Sequence, residues 1–322
     1  MDDIHMSSHS RVLLTGGAGF VGSQVVNALL KDGSEVAVLD NLSTGRLDNL
    51  TPYLKDENFR FINGDVCDPS LVQDAVEGVD AILHMAAIVS IPRSLENPLL
   101  VSQVNIAGTL NLLKACMDVG VKRFVYTSSC AVYGDAETSP QHEELPCSPT
   151  SPYSVTKIAA ENYCRVFHKV FGLETVSLRL FNVYGPRKDQ GPYADVVTVF
   201  VNRLLNGDPP TIYGDGEQSR DFVYVTDVAE AILLALRSKN AVGEVFNIGS
   251  GNATSINELA QLLIEIVGKG GVEPIHLAPR KGDICHSCAD IRKAESALGY
   301  QPKVSLLDGL GETVNRCRRI VS

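Results

Sequence analysis

A chain of 322 residues, 44% apolar and 20% charged, can bury a sizeable core and is long enough for one large domain or two ordinary ones. A net charge of −10 and a pI near 5.2 disfavour nucleic acid and anionic membranes as main partners. No apolar run approaches the roughly 18 residues that span a bilayer, and the N-terminal MDDIHMSSHS lacks the apolar segment of a signal peptide, so we expect neither membrane insertion nor export.

Strand-like apolar runs alternate with helical patterns in the first half of the chain. The predicted strands are 11–15, 35–39, 60–65, 80–85, 123–128 and 175–181. Helices are predicted after the first strand, ending near Asp32, and at 70–77 and 99–118. Short buried strands that alternate with helices form a parallel sheet covered on both faces. We therefore predict an α/β fold, a doubly wound parallel sheet of the Rossmann type, over residues 11–184.

Beyond about residue 185 the pattern changes. Pro and Gly become frequent, as in GPRKDQGPY and NGDPPTIYGDGEQ, and helices alternate less regularly with strands. We predict a smaller C-terminal α/β lobe over residues 185–322 that closes over the sheet and binds the substrate, with some segments interleaved between the two parts.

The glycine-rich stretch GGAGFVG, residues 16–22, links the first strand to the first helix. Gly16 would allow the tight turn, Gly19 the approach of backbone N–H groups to a pyrophosphate, and Gly22 close packing of helix and sheet. Asp40 ends the second strand, where a carboxylate accepts hydrogen bonds from a ribose diol and repels a 2′-phosphate. The pattern therefore predicts NAD binding, with NAD favoured over NADP.

Asp65 ends the third predicted strand, at the same edge of the sheet. A carboxylate there could contact adenine, or it could cap the turn that follows. Both roles remain open on the sequence alone.

The stretch SPYSVTK, residues 151–157, places Tyr153 and Lys157 on one face of a helix. A tyrosine has a pKa of about 10, which a nearby ammonium and an oxidised nicotinamide would lower. Tyr153 could then take a proton from a substrate hydroxyl while a hydride leaves the same carbon. Ser129, expected just past the fifth strand at the ligand-binding edge, could orient that proton.

A series of motifs occurs in order between residues 11 and 315. They are TGGAGFVG, Asp40-Asn41-Leu42, His84-Met85-Ala86-Ala87, SSCAVYG, Tyr153-x-x-x-Lys157, LFNVYG at 180–185 and SRDFVYV at 219–225. With these residues the chain resembles the extended short-chain dehydrogenases/reductases, specifically the NAD-dependent UDP-hexose 4-epimerases. The resemblance implies an isomerase that acts on a UDP-hexose or UDP-N-acetylhexosamine, and a homodimer formed through the helices near 99–118 and 153–171.

The resemblance also assigns roles residue by residue. The catalytic residues would be Ser129, Tyr153 and Lys157. The NAD-binding residues would be Gly16, Gly19, Phe20, Val21, Gly22, Asp40, Asn41, Gly45, Asp65, Val66, Met85, Ala86, Ala87, Asn105, Ser128, Tyr153, Lys157 and Phe181. The nucleotide sugar would be bound by Ser90, Ser129, Tyr153, Asn182, Val196, Tyr213, Arg220, Arg280, Asp283 and Ser287.

The family mechanism fits these residues. Tyr153 would take the O4 proton of the sugar as hydride moves from C4 to NAD, and a transient 4-keto sugar would turn over and receive the hydride on its other face. Arg220 and Arg280 would hold the diphosphate, because guanidinium groups bind phosphates through paired hydrogen bonds.

Two other functions stay open. Sugar-nucleotide dehydratases of this group resemble Thr-Asp-Glu where this chain has Ser129-Cys130-Ala131, so both carboxyl groups are missing and Cys130 is either a thiol acid or a small packing residue. A non-catalytic NAD-sensing relative would be free to lose Tyr153 or Lys157, and this chain keeps both.

The stretch GDICHSCAD, residues 282–290, looks like half a zinc site, but the sequence offers no second spaced pair, so we expect no metal. The other cysteines show no disulfide-like spacing, which favours reduced thiols in the cytoplasm. The family resemblance instead places Ser287 beside the 2-substituent of the sugar, where a small residue leaves room for an acetamido group. The stretch IVSIPRSLENP at 88–98 also resembles the acetamido-accepting branch, whereas Thr198 departs from the usual Pro.

Overall fold

The computed structural model describes residues 10–187, 195–279 and 284–321, and its largest element is a parallel sheet of seven strands. The strands in chain order are β1 (Arg11–Thr15), β2 (Glu35–Asp40), β3 (Phe59–Asn63), β4 (Ala81–His84), β5 (Arg123–Ser129), β6 (Glu174–Leu180), β7 (Asn182–Tyr184), β8 (Thr211–Tyr213), β9 (Ser219–Tyr224), β10 (Val245–Ile248), β11 (Ala253–Ser255), β12 (Ile275–Leu277) and β13 (His286–Ser287). The large sheet has the order β10-β6-β5-β4-β1-β2-β3, with every neighbouring pair parallel. Because the strand order turns around between β1 and β4, the predicted doubly wound α/β fold is confirmed.

Helices pack on both faces of this sheet and in a smaller lobe. They are Phe20–Lys31, Pro69–Val76, Ile91–Glu96, Pro98–Val119, Pro152–Phe171, Val196–Leu205, Val225–Arg237, Ile256–Val267, Arg292–Leu298 and Leu306–Val321, with short 3₁₀ turns at Leu47–Asn49, Thr51–Tyr53, Cys130–Tyr133 and Lys239–Ala241. Leu14 of β1 packs with the first helix and with Val225–Arg237, whereas Leu13 faces the core formed with Pro98–Val119 and Pro152–Phe171. Neighbouring residues of a buried strand thus enter opposite cores.

Element boundaries differ from the predicted ones by one or two residues. Strand β3 ends at Asn63 and not at Asp65, because the Asp65 carboxylate accepts the Cys67 N–H at 2.8 Å and starts a turn. Strand β5 extends to Ser129, so this serine is the last strand residue and does not follow the strand. The long helix contains a π-helical turn at Gln103–Ala107.

The smaller lobe comes from the second half of the chain. Strand β9 pairs with β7, β11 and β13, and β8 pairs with β12. Phe200, Leu259, Leu263 and Leu310 form its core with other apolar side chains. The division of the chain at residue 184 stays a prediction. Residues from beyond it belong to the large sheet and its core, since β10 pairs with β6 and the helix Val225–Arg237 packs against the sheet.

One stretch, Pro98–Val119, is long and apolar enough to cross a membrane by length and composition alone. Its buried residues, among them Leu112, Leu113 and Cys116, pack into the core beside Phe124 of the sheet. These contacts are those of a core helix, and a core helix can have the length and apolar composition of a membrane-spanning helix.

His84 ends β4 and is fully buried between two threonines. Its Nδ1 lies 2.7 Å from Thr15 Oγ1 and its Nε2 lies 2.8 Å from Thr109 Oγ1. The Thr15 hydroxyl in turn accepts the N–H groups of Met85 and Ala86. Burial first, and the charge of Lys157 second, lower the pKa of His84 from 6.5 to about 3.

This shift predicts a pH-dependent stability. The unfolded histidine takes up a proton below about pH 6.5 whereas the folded one does not, so the free energy of unfolding is fully retained above that pH and falls by about 1.4 kcal/mol per pH unit towards pH 3. Denaturant unfolding of His84→Gln at several pH values is expected to show a shallower slope. A change at the exposed His276, His276→Gln, is the control, and equal slopes for wild type and His84→Gln would contradict the prediction.

Candidate active site

A cavity of about 520 Å³ opens at the carboxyl ends of β1, β2, β4 and β5. In doubly wound sheets this edge, where the strand order turns around, is the place where ligands bind. The glycine loop, the residues that follow β4, and Tyr153 and Lys157 all line it.

The glycine loop has the tight backbone path of a dinucleotide-binding loop, in which Gly16 and Gly22 leave no room for side chains. Gly16 has φ +75°, and a Cβ there would lie 2.7 Å from the Ala86 nitrogen. A Cβ on Gly22 would lie 2.3 Å from the Gly16 oxygen. The helix Phe20–Lys31 starts directly after Gly19, so its free N–H groups face the cavity edge, where a pyrophosphate would be held.

Asp40 lies at the end of β2 with its carboxylate largely buried. It accepts the Ala18 N–H at 2.9 Å and the Leu42 N–H at 2.8 Å, and burial raises its pKa. A carboxylate can accept about four hydrogen bonds, so it retains capacity for a ribose diol. This arrangement suits NAD.

Asp65 adopts the capping role that the sequence left open. Its carboxylate accepts the Cys67 N–H and, at 2.8 Å, the Asn41 side-chain amide. It also lines the cavity, so an adenine contact stays a prediction.

The cavity wall contains most residues expected to hold the cofactor. They are Gly16, Gly19, Phe20, Val21, Gly22, Asp40, Asn41, Gly45, Asp65, Val66, Met85, Ala86, Ala87, Ser128, Tyr153, Lys157 and Phe181, and Ser90 joins them. Asn105 does not line it. Its amide instead bonds both backbone groups of Ile88 and the Thr156 hydroxyl, so it fixes the neighbouring wall and the catalytic helix.

Arg187 is a wall residue that the sequence reasoning missed. Its guanidinium lies 5.1 Å above the Phe20 ring, and its Nη1 lies 3.1 Å from the Asp195 carboxylate. The cation is therefore close to the N-terminus of the first helix, where an anionic group is favoured. Arg187 follows Gly185-Pro186 beyond the predicted strands, where no alternation of apolar and polar residues indicates the direction of a side chain.

The residues predicted to be catalytic come from two elements. Ser129 ends β5, while Tyr153 and Lys157 lie in the first turns of the helix Pro152–Phe171, which a Ser151 capping box begins. Tyr153 is 7% exposed, and the Ser129 side chain lies near enough to act on its pKa. The Lys157 ammonium donates to the Thr127 carbonyl at 2.7 Å and lies 6.0 Å from the centre of the Tyr153 ring. The structure thus brings all three together.

The expected depression of the Tyr153 pKa stays a prediction, because it requires a bound oxidised nicotinamide as well as Lys157. In the protein alone, burial raises the pKa of Tyr153 to about 12, which the neighbouring Ser129 side chain opposes only in part, and burial lowers the pKa of Lys157 to about 7. Both shifts have one cause, because a site closed to water disfavours charge on either group. The expectation for Tyr153 also includes the positive charge of an oxidised nicotinamide, which comes from the bound cofactor and not from the chain.

The predicted sugar-site residues Arg220 and Ser287 come close to Ser129 through Cys130. The Cys130 thiol lies near enough to Ser129, Ser287 and Arg220 for each of them to lower its pKa against the effect of burial. Ser287 on β13 stands opposite Arg220 on β9. The fold therefore brings the adjacent residues Ser129 and Cys130 near two residues from the second half of the chain.

The remaining predicted sugar-site residues are more scattered. Asn182 donates to the Asp221 carbonyl at 3.3 Å, Val196 begins the helix Val196–Leu205, and Tyr213 ends β8. Arg280 and Asp283 lie outside the described residues. Thr198, where a Pro was expected, donates both its N–H and its hydroxyl to Asp195. The helix start is therefore capped without a proline.

Cys130 is poorly suited to act as an acid. Burial raises the pKa of its thiol to about 11, so the proton is retained and the group is far from the pKa that proton transfer near neutrality needs. The nearby Asp221 carboxylate accepts the N–H groups of Ser250, Gly251 and Ala289 and is therefore structural. The groups that would drive loss of water are not found at Ser129-Cys130-Ala131.

The segment around Cys285 and Cys288 pairs with β9 through His286 and Ser287. Cys285 and His286 are exposed whereas Cys288 is buried, and no group of three metal-ligating side chains occurs within the described ranges. His286 Nδ1 lies 3.0 Å from the Ser219 hydroxyl.

Comparison with known proteins identifies relatives along the whole chain. Residues 12–249 match the family model described as the NAD dependent epimerase/dehydratase family. A putative UDP-glucose 4-epimerase of Methanocaldococcus jannaschii is 39% identical over 306 residues, which cover 94% of this chain and 97% of that protein.

Two solved structures have the same fold throughout. The UDP-N-acetylglucosamine 4-epimerase of Methanobrevibacter ruminantium, in complex with UDP-N-acetylmuramic acid, is 38% identical with a TM-score of 0.92 and covers 97% of this chain and 99% of its own. The UDP-glucose 4-epimerase of Thermotoga maritima, with UDP-glucose, is 40% identical with a TM-score of 0.92 and covers 97% and 100%.

Proposed function

Because the chain belongs to the NAD dependent epimerase/dehydratase family and has NAD as its cofactor, we propose that it interconverts UDP-GlcNAc and UDP-GalNAc, and less readily UDP-Glc and UDP-Gal. The observation that carries this choice is the small side chain of Ser287, which stands opposite Arg220 and lies near Cys130. The proposed sugar site therefore has small side chains next to the proposed catalytic serine. An acetamido group needs the room that a small residue leaves.

Each catalytic residue has a defined task in this proposal. Bound NAD supplies a carrier that accepts a hydride and gives it back. Tyr153 takes the proton of the sugar hydroxyl at C4 and returns it, while the neighbouring Ser129 hydroxyl orients the phenol oxygen. Lys157, held by the Thr127 carbonyl, provides a positive charge that favours the phenolate.

The proposal predicts the outcome of one direct assay. The purified protein with bound NAD is incubated separately with UDP-GlcNAc and UDP-Glc, and the products are resolved by chromatography or NMR. We expect the 4-epimer from both, with the higher kcat/KM for UDP-GlcNAc. A 4-keto-6-deoxy product would indicate a dehydratase, and no product despite bound NAD would favour an NAD-sensing relative.

We also propose that the protein is a homodimer. The helix Pro152–Phe171 exposes Val155, Val166 and Val170 at 48%, 46% and 66%, and these positions lie along one side of the helix. The neighbouring helix adds Leu99 at 84%. A contiguous apolar stripe of this kind is typical of a subunit interface.

The stripe predicts the effect of charge on the assembly. Wild type should have a mass in solution of twice 34.7 kDa, and the double change Val166→Glu with Val170→Glu should give the single mass, because buried carboxylates on both copies would face each other. Light scattering after size-exclusion chromatography measures this. Leu307→Glu, at a residue 57% exposed on the last helix, is the control. A dimeric double variant would place the interface elsewhere.

We place the protein in the cytoplasm. All eight cysteines are free in the structure, and four of them, Cys116, Cys164, Cys288 and Cys317, are buried. Free thiols are usual in reducing compartments.

A further inference from the structure

Gln141 is a buried residue for which neither the family motifs nor the proposed mechanism has a role. It is 1% exposed and lies in the loop between β5 and the catalytic helix. Its side-chain Oε1 accepts the Cys288 N–H at 2.7 Å, and its Nε2 donates to the His286 carbonyl at 3.2 Å. One amide group therefore bonds the backbone on both sides of Ser287.

The main chain of Gln141 strengthens this connection. Its N–H donates to the Cys288 carbonyl at 2.7 Å, and its carbonyl accepts the Asp290 N–H at 2.8 Å. On the opposite edge of the segment, the Cys285 carbonyl accepts from Ser219 of β9. The Ser287 segment is thus held between β9 and Gln141, as a strand is held between two neighbours.

Gln141 is itself tied to the large sheet. Its carbonyl accepts the side-chain amide of Asn247, a residue of β10, at 2.9 Å. Asn247 in turn accepts the Tyr133 hydroxyl at 2.7 Å, and Tyr133 lies in the turn that follows Ser129. A chain of buried hydrogen bonds therefore connects the position of Ser287 to the strand end that carries the catalytic serine.

We propose that Gln141 is a positioning residue for sugar selection, whose amide fixes the wall at Ser287 and so sets the width of the pocket beside the sugar's 2-substituent. This inference rests on the proposed function. An apolar side chain of equal size would leave the buried Cys288 N–H and His286 carbonyl without partners, so the segment would shift to find new ones.

Full-length Gln141→Leu with bound NAD tests the role. The KM for UDP-GlcNAc is expected to rise about fivefold or more, while kcat and the KM for UDP-Glc change by less than about twofold, because the wall contacts the 2-substituent and not the reacting carbon. Hydrogen exchange at residues 286–290 should become faster. Gln141→Glu keeps the acceptor for the Cys288 N–H but loses the donor to the His286 carbonyl. Its KM for UDP-GlcNAc should therefore lie between the values of wild type and Gln141→Leu.

The exposed Gln261 provides the control Gln261→Leu, which should match wild type in all readouts. Equal losses for both sugars, or unchanged KM values, would overturn the positioning role, and Gln141→Glu decides by the same criterion if Gln141→Leu does not fold. If wild type epimerises neither sugar, the proposed function fails and this inference with it. Unchanged selectivity in an active wild-type background removes only the inference.

Discussion

Replacement of Tyr153 by Phe is expected to lower kcat about 10²- to 10⁴-fold for every accepted sugar, which is the usual contribution of a positioned acid–base group. The ring stays in place, so the packing at a 7% exposed site is kept and only the proton-transferring oxygen is lost. Bound NAD should remain at the wild-type level. Steady-state rates with UDP-GlcNAc and the absorbance of the released cofactor measure the two effects.

Tyr126 supplies a matched control for this change. It lies on β5, is 2% exposed, and its hydroxyl has no hydrogen-bond partner among the described residues. The Lys157 ammonium lies 5.0 Å from its ring centre, so the control probes the same neighbourhood. Tyr126→Phe should keep kcat, and a Tyr153→Phe enzyme that matched it would show that another group moves the proton.

Replacement of Ser287 by Tyr is expected to reverse the sugar preference. The serine is 6% exposed and lies near Cys130, so its place has no room for a tyrosine ring, and we expect the ring to take up space beside the sugar. We expect kcat/KM for UDP-GlcNAc to fall roughly 10- to 200-fold, which is the usual effect of changing one pocket contact. The kcat/KM for UDP-Glc should change by less than about threefold. Parallel assays of both sugars give the ratio.

Ser287→Ala separates the size of the side chain from its hydroxyl. Alanine keeps the room and loses only the hydroxyl group, so it should retain UDP-GlcNAc turnover. If Ser287→Tyr epimerised UDP-GlcNAc as fast as wild type, the size of residue 287 would not govern sugar choice.

The sequence predicted the elements that have strong local signals. Buried apolar runs identified β1, β2 and β4 to β6 to within two residues, and the Tyr153–Lys157 spacing with a serine cap placed both side chains on one helix. Gly16 was expected to allow a tight turn and has φ +75°, and Gly22 was expected at a place of close packing, where a Cβ would lie 2.3 Å from the Gly16 oxygen.

Features that depend on tertiary contacts could not be predicted in this way. The pKa of Tyr153 depends on burial, which spacing does not report, so its rise to about 12 in the protein alone could not be predicted. The hydrogen bonds between the Asn105 amide and Ile88 could not be predicted either, and its contact with NAD stays a prediction. Arg187 and Gln141 lie in irregular segments, where no periodic pattern indicates the direction of a side chain.

The placement of β10 has a consequence for engineering. This strand and the helix Val225–Arg237 come from the second half of the chain, yet they close the outer edge of the seven-stranded sheet and cover its core. A fragment cut after residue 184 would expose the edge of β6 and the apolar side of the first helix. The second half of the chain is therefore not a separable unit, and exchanging the smaller lobe between relatives requires grafting β7 to β9 and β11 to β13 around a retained β10.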